Sequence, residues 1–218
     1  MAENENNALR QRLLDGLERI ATVLREDSRR GAAPFGLNVA QDSILRLLRT
    51  RPSGLRIRAL AGQLGVRQPT ITDSVNALER KGLVARHADP SDSRATIVKA
   101  APHALPERAR VRSAVAAALE DLSSAECAGL LRTLIKLIRG LQLRNAIPPQ
   151  RMCVTCKYFR PNVYPDGDAP HYCALVNAPF GDRALRLDCP EHEEAGPAEA
   201  AQSWQIFQSR AHLPEARE

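Results

Sequence analysis

Aromatic residues make up only 4% of the 218-residue chain, and they are unevenly placed. Phe35 is the sole ring before residue 150, whereas Tyr158, Phe159, Tyr164, Tyr172, Phe180, Trp204 and Phe207 follow it. Two modules with different core chemistry are therefore joined, and a break is expected near Ile147-Pro148-Pro149, where paired prolines stop a helix. No uninterrupted apolar stretch approaches the roughly 18 residues of a membrane span, so no membrane partner is expected. Met1 to Asn7 is polar and acidic, without a basic start and apolar run, so no signal peptide is expected. The expected compartment is the cytoplasm, where paired disulfides rarely persist. The chain also lacks a phosphate-cradling glycine loop, a nucleophile–base pair, internal repeats and low-complexity tracts, which argues against an enzyme.

Apolar residues reach 44%, enough for a real core, and the net charge is +6. Residues 1–150 carry 24 Lys and Arg against 15 Asp and Glu, a net of +9, while residues 151–218 carry 7 against 10, a net of −3. A polyanionic partner such as nucleic acid is therefore expected on the first part.

Leu9, Leu13, Leu14, Leu17, Ile20, Ala21 and Leu24 recur at helical spacing and predict an amphipathic helix over about 8–26, followed by a loop at 31–36. A second helix is predicted over about 38–51, broken by Pro52-Ser53-Gly54. Leu60, Ala61 and Leu64 predict a short helix, Gly65 a left-handed turn, and Pro69 the first turn of another helix with Ile71, Val75 and Leu78 inward. That is a helix-turn-helix. Segments 82–86 and 95–99 read as strands around a turn at Asp89-Pro90-Ser91-Asp92-Ser93, which makes a wing. Helices follow from about Pro106 to Asp121 and from a Ser123–Glu126 capping box onward. The apolar surface of the last one is too broad for a single packing face, which predicts contact with a second subunit.

With its apolar stripe inward, the helix near Gln68 presents polar side chains to a major groove. Gln68, Thr70, Thr72 and Asn76 are candidate base readers, flanked by Pro69 and Asp73. Arg67, Arg80 and Lys81 are candidates for phosphates, and Arg86 and Arg94 belong to the wing. The leucine-rich helix before the motif, Leu60-Ala61 through Val66, the run from Leu78 to Arg86, Asp92-Ser93-Arg94 and Leu122-Ser123 form an ordered set. On these, residues 38–142 resemble the MarR (multiple antibiotic resistance regulator) family of winged-helix repressors. The resemblance implies a homodimer held by terminal helices on a pseudo-palindromic operator. The chain departs from the family pattern at Lys99-Ala100 and Ala101-Pro102-His103, where Leu-Thr and a later Gly are usual.

Of five cysteines, Cys127 sits at helical spacing with Leu130, Leu131 and Leu134 and is expected in a core. Cys153, Cys156, Cys173 and Cys189 follow a C-x2-C-x16-C-x15-C spacing. Four thiolates suit a tetrahedral structural zinc, but the second C-x2-C knuckle of zinc ribbons is missing. They equally suit a [4Fe-4S] cluster, which gains from the surrounding rings. The segment Cys153 to Phe159, then Cys173-Ala174-Leu175 and Cys189, resembles the motif of high-potential iron–sulfur proteins. Asp188-Cys189-Pro190-Glu191-His192 lacks the aromatic that family carries there. His171 and His192 are expected outside the ligand set. A short helix over about 198–212 is expected to pack Trp204, Ile206 and Phe207.

The expected fold is mainly α with a small β wing (a winged helix-turn-helix, α+β), plus a small four-cysteine module nucleated by a metal or cluster. Its expected domains are 1–147 (DNA binding and dimerisation), 148–194 (cysteine module) and 195–218 (tail). The expected function is a DNA-binding transcription regulator, a repressor, whose cluster senses redox, nitric oxide or iron status. One alternative is a regulator of small aromatic effectors with a structural zinc; a remote one is an electron-transfer protein or enzyme with a winged-helix interaction domain.

Overall fold

The computed structural model describes residues 2–104 and 113–209. The chain divides into two compact units, Met1–Asp121 and Leu122–Glu218.

In the first unit, α1 runs from Ala2 to Ala32, longer at both ends than the apolar repeat predicts. Its leucine stripe faces solvent, with Leu13 at 59% and Leu14 at 55% exposure, while Ala32 at its far end is buried. Helix α2 (Val39–Arg49) starts at Asn38, whose side chain accepts from the Gln41 N–H in a reciprocal capping box. Ile44, Leu45 and Leu48 are its buried face. A two-residue strand, β1 (Leu55–Arg56), precedes α3 (Ile57–Leu64), which ends on Gly65 at φ 64°. That left-handed turn is cheap for glycine and reverses the chain into α4 (Gln68–Arg80), whose Ile71, Val75 and Leu78 are fully buried.

The wing consists of β2 (Val84–Asp89) and β3 (Asp92–Ala100). Asp89 pairs with Asp92, so the connection is Pro90-Ser91 alone, shorter than the five-residue turn the sequence predicts. The Asp89 carboxylate tightens it by accepting from the Ser91 N–H at 2.8 Å and hydroxyl at 2.7 Å. Strand β1 adds to β3, giving the sheet order β1-β3-β2. Gly54, at φ 86°, enters this sheet where a Cβ would lie 2.8 Å from the Val98 carbonyl. Of the helix predicted from Pro106 to Asp121, α5 (Ala114–Glu120) is observed; residues 105–112 lie outside the described residues. Its start is anchored on α1, because Asp27 accepts from the Ser113 hydroxyl at 2.7 Å and the Ala114 N–H at 2.9 Å.

The second unit begins with α6 (Ser124–Leu143), whose Ser123–Glu126 capping box is formed as the sequence predicts. The break expected near Ile147 therefore falls inside this unit. Ile135 of α6 is buried with Met152, Val154, Phe159, Leu185 and Phe207 in one core, so the helix belongs with the cysteine module. A small antiparallel sheet follows, of β4 (Phe159–Arg160), β5 (His171–Cys173) and β6 (Ala178–Phe180) in that order. Helix α7 (Pro197–Ser209) closes the unit with Phe207 fully buried and Trp204 stacked on it. The described part of the expected tail, residues 195–209, therefore packs into this unit through Phe207 and Trp204, while Ile206 is 40% exposed. Among the described residues no helix is long and apolar enough to cross a membrane.

Candidate nucleic-acid interface and thiolate centre

Helix α4 separates its two faces by helical geometry. With Ile71, Ser74, Val75 and Leu78 buried, Arg67, Gln68, Pro69, Thr70, Asp73 and Arg80 are exposed, and Thr72 and Asn76 are half-buried. Arg67 precedes the helix without a side-chain cap, leaving the positive end of the helix dipole uncapped. Gln68, Pro69, Thr72 and Asp73 line a shallow open depression at this end.

Two of the candidate base readers, Thr72 and Asn76, and the wing residue Arg86 carry internal hydrogen bonds that the sequence does not announce. The Thr72 hydroxyl donates to the Gln68 carbonyl at 3.0 Å, one turn back on its own helix. Arg86 of β2 donates to the Asn76 side-chain carbonyl at 2.7 Å and is ion-paired with Glu79. Arg86 and Asn76 thus clamp the wing to α4, and their first role here is positional. Arg94 is exposed, and its backbone N–H donates to Asp92 at 3.1 Å. The residue the sequence reading overlooks is Arg56. Its guanidinium donates to Asp89 at 2.6 Å and lies 3.6 Å from Asp92, bracing the wing turn from thirty-three residues away. The Ser91 hydroxyl and N–H, then Arg56, hold the Asp89 carboxyl down to about 2. Lys81 at the end of α4 donates to the Gly36 carbonyl and to Gln41 at 3.3 Å, so this candidate phosphate ligand also ties α4 to the start of α2.

In the second unit, backbone pairing gathers the four expected cysteines. Cys153 and Cys156 share one 3-10 turn, closed by the Cys156 N–H donating to the Cys153 carbonyl at 2.9 Å. Cys173 on β5 pairs with Phe159 of β4, three residues past Cys156. Segment 186–189 lies against 151–153, since Cys153 N–H donates to the Arg186 carbonyl at 3.1 Å and Cys189 N–H to the Arg151 carbonyl at 2.9 Å. All four thiols are free and half-buried. Burial pushes the Cys153 thiol up to about 11; the Arg186 N–H works against this, and the neighbouring Cys189, Cys156 and Cys173 add to it. Arg186 donates its N–H to Cys153 Sγ at 3.3 Å and its guanidinium to Cys189 Sγ at 3.8 Å. Among the described residues no three His, Cys, Asp or Glu side chains are gathered as the ligands of one metal ion would be. Cys127, on α6, is half-buried and apart from this set.

The histidines flanking the cysteines have different surroundings. His192 Nε2 lies 3.0 Å from the Thr155 hydroxyl, and burial lowers its basicity. His171 is fully buried among Phe159, Phe180 and Phe207. Its Nδ1 accepts from the Asn162 N–H at 3.2 Å, which puts the ring proton on Nε2, 2.8 Å from Asp182. Arg132 of α6 reaches the same carboxylate oxygen at 3.0 Å, donates to the Phe207 carbonyl, and lies 4.1 Å over the Phe207 ring. Burial pushes the Asp182 carboxyl up, but the His171 hydrogen bond and the Arg132 charge together hold it below the usual carboxylate range. A relay of helix, carboxylate and imidazole therefore binds α6 to the strand that carries Cys173. Partners fifty and eleven residues apart leave no local signal in the sequence.

Residues 37–96 match the MarR family. A putative transcriptional regulatory protein for the hcr operon of Thauera aromatica is 29% identical over 127 residues, 58% of this chain and 76% of the relative. The crystal structure of the transcriptional regulator BldR from Sulfolobus solfataricus matches at 27% identity and a TM-score of 0.50, over 60% of this chain and 94% of that one. Sco3205, a MarR family transcriptional regulator from Streptomyces coelicolor solved in complex with DNA, matches in fold at 23% identity and a TM-score of 0.54. That match covers 62% of this chain and 89% of the other. The winged helix of the first unit is thus similar to those of the MarR family over residues 37–96.

Proposed function

We propose, with a MarR-type winged helix as the premise, that this chain is a dimeric, sequence-specific DNA-binding transcription regulator. The observation that carries the reading is the exposed set of Arg67 before α4 and Gln68, Thr70, Asp73 and Arg80 on it, backed by a fully buried stripe and set in the part of net charge +9. In a major groove, Gln68 and Thr70 supply the donors and acceptors for base edges, while the uncapped helix start and Arg67 suit phosphate. Arg94 on the wing suits a narrow minor groove, and the Arg86–Asn76 and Arg56–Asp89 contacts hold the wing for it. The exposed leucines of α1 suit a second copy, and a two-fold dimer presents two recognition helices about 34 Å apart. Leu130, Leu137 and Leu141 of α6, exposed at 40–48%, suit the same role.

Regulation is assigned to the second unit, where Cys153, Cys156, Cys173 and Cys189 would hold a thiolate-bound metal or iron–sulfur centre. Such a centre supplies a response to oxidants, nitric oxide or iron supply. This chain's own residues supply the coupling: the Arg132–Asp182–His171 relay joins the cysteine strands to α6, so a loosened centre loosens that helix.

The test is selection of binding sites from a random DNA pool, followed by gel-shift titration of the winner at fixed salt. A two-half-site sequence should emerge. Gln68→Ala and Thr70→Ala should cost about 1–3 kcal/mol at particular base pairs and little on scrambled DNA. No enriched site, or unchanged affinity in a dimeric, folded Gln68/Thr70/Arg94 triple-alanine variant, overturns the reading.

A further inference from the structure

The outward side chains at the start of α4 differ in what they have left to offer a base. Gln68, Pro69, Thr72 and Asp73 stand three and four residues apart, so they share one patch of the helix and line its shallow depression. The Thr72 hydroxyl donates to the Gln68 carbonyl at 3.0 Å. Its one proton is spent on its own helix, and what remains to it is a γ-methyl group and an acceptor oxygen. Pro69 is exposed at the same patch and adds a ring without a donor. Asp73, also exposed, adds a carboxylate, which only accepts. The patch is therefore carbon at Pro69 and Thr72, with an acceptor at Asp73 and the Gln68 amide at its start.

The first turn of a recognition helix is the part that meets base edges in the major groove. Thymine alone among the bases shows a methyl group there, and a threonine methyl is a carbon surface that receives it. Guanine shows two acceptors, N7 and O6, which a carboxylate repels. Adenine and cytosine each show an exocyclic amine from which a carboxylate accepts. Carbon beside an acceptor-only group thus favours thymine next to adenine or cytosine, and it works against guanine by repulsion.

We infer that Pro69 and Thr72 receive a thymine 5-methyl group and that Asp73 excludes guanine from the neighbouring position. This rests on the DNA-binding reading above, and the test separates the two. A site is first selected from random DNA with the full chain; no enriched site overturns the DNA-binding reading and this inference with it. In the selected site each thymine of one half is then replaced in turn by deoxyuridine, which deletes the methyl and keeps the hydrogen-bonding edge. One replacement should weaken binding about fourfold in gel-shift titration at fixed salt, the order expected for one buried methyl group. Unchanged affinity for every uracil duplex overturns the methyl contact and leaves sequence-specific binding standing.

Two substitutions at Thr72 separate a base contact from a structural role. Thr72→Ser keeps the hydroxyl and its bond to Gln68 but loses the methyl, so the thymine and uracil duplexes should bind it alike. Thr72→Val keeps the carbon and loses the bond, so the preference of about fourfold should persist. The reverse pattern, with the preference kept in Thr72→Ser and all DNA bound more weakly by Thr72→Val, assigns Thr72 to the helix and overturns the contact. Asp73→Asn gains an amide that donates to guanine, and it should admit guanine at one position where the unaltered protein rejects it. A base preference identical to that of the unaltered protein removes Asp73 from the proposal. Circular dichroism reports whether each variant is folded, and the uracil series on the unaltered chain decides the methyl contact even where a variant is not.

Discussion

Replacing Arg132 by methionine should unfasten the second unit, and the structure allows the cost to be estimated. Arg132 is 3% exposed, and its guanidinium reaches Asp182 at 3.0 Å, the Phe207 carbonyl, and the Phe207 ring at 4.1 Å. Methionine keeps most of the volume, so cavity formation is small and the charge effect is isolated. Removing one member of a buried ion pair costs about 3–5 kcal/mol, because the other charge is left without compensation. Asp182 keeps its bond from His171 and some solvent contact, which points to the lower end, about 3 kcal/mol. With a urea slope of about 1.5 kcal/mol per molar for a unit of this size, the midpoint should fall by about 2 M. Trp204 is the chain's sole tryptophan and stacks on Phe207, so its emission follows this unit and not the winged one. Arg144→Ala, exposed just past the end of the same helix, is the control and should move the midpoint by less than about 0.3 M. A shift in Arg132→Met no larger than that control refutes the claim that the relay holds α6 to the cysteine strands.

Wing arginines should separate by salt dependence: Arg94→Ala should flatten the slope of log affinity against log salt by about one counterion. Arg86→Ala should weaken binding with the slope nearly unchanged, because its guanidinium is spent on Glu79 and Asn76; equal slope changes would show both on phosphate. The Asp89 carboxyl titrates at about 2 in the fold, below its ordinary value near 3.9, so its contribution is complete above pH 4 and is lost as pH falls toward 2. Wing amide exchange, followed by nuclear magnetic resonance from pH 5 to 2, should therefore quicken over that window, and Asp89→Asn should abolish the trend. Leu13→Arg with Leu17→Arg, at positions 59% and 41% exposed, should give a folded monomer by equilibrium sedimentation; a persistent dimer would place the interface elsewhere.

Local signals carried the winged helix well. The spacing of Ile71, Val75 and Leu78 fixes which face of α4 is buried, and the same spacing dictates that Gln68, Thr70 and Asp73 are exposed. Gly65 and the Ser123–Glu126 box act within a few residues, so their turn and cap read directly from the chain. The wing was legible as a hairpin but not in its register, because the Asp89–Asp92 pairing depends on a carboxylate folding back on Ser91 and on Arg56 arriving from a distant strand. Strand β1 has two residues and exists only through its partners in β3, so no pattern announces it. The same reason explains the misplaced boundary. Two prolines end a helix, but a helix end is not a domain end: Ile135 and Arg132 of α6 find their partners in Met152, Asp182 and Phe207, beyond the prolines. Sequence patterning shows that α6 has more apolar surface than one face can hide. Only the fold shows that one side of it is already taken by the cysteine module, with Leu130, Leu137 and Leu141 left over at 40–48% exposure. In the proposed function, α6 is therefore a single rigid element answering to two surfaces, the cysteine strands on one side and a second subunit on the other, which is the arrangement a switch between metal state and half-site spacing requires.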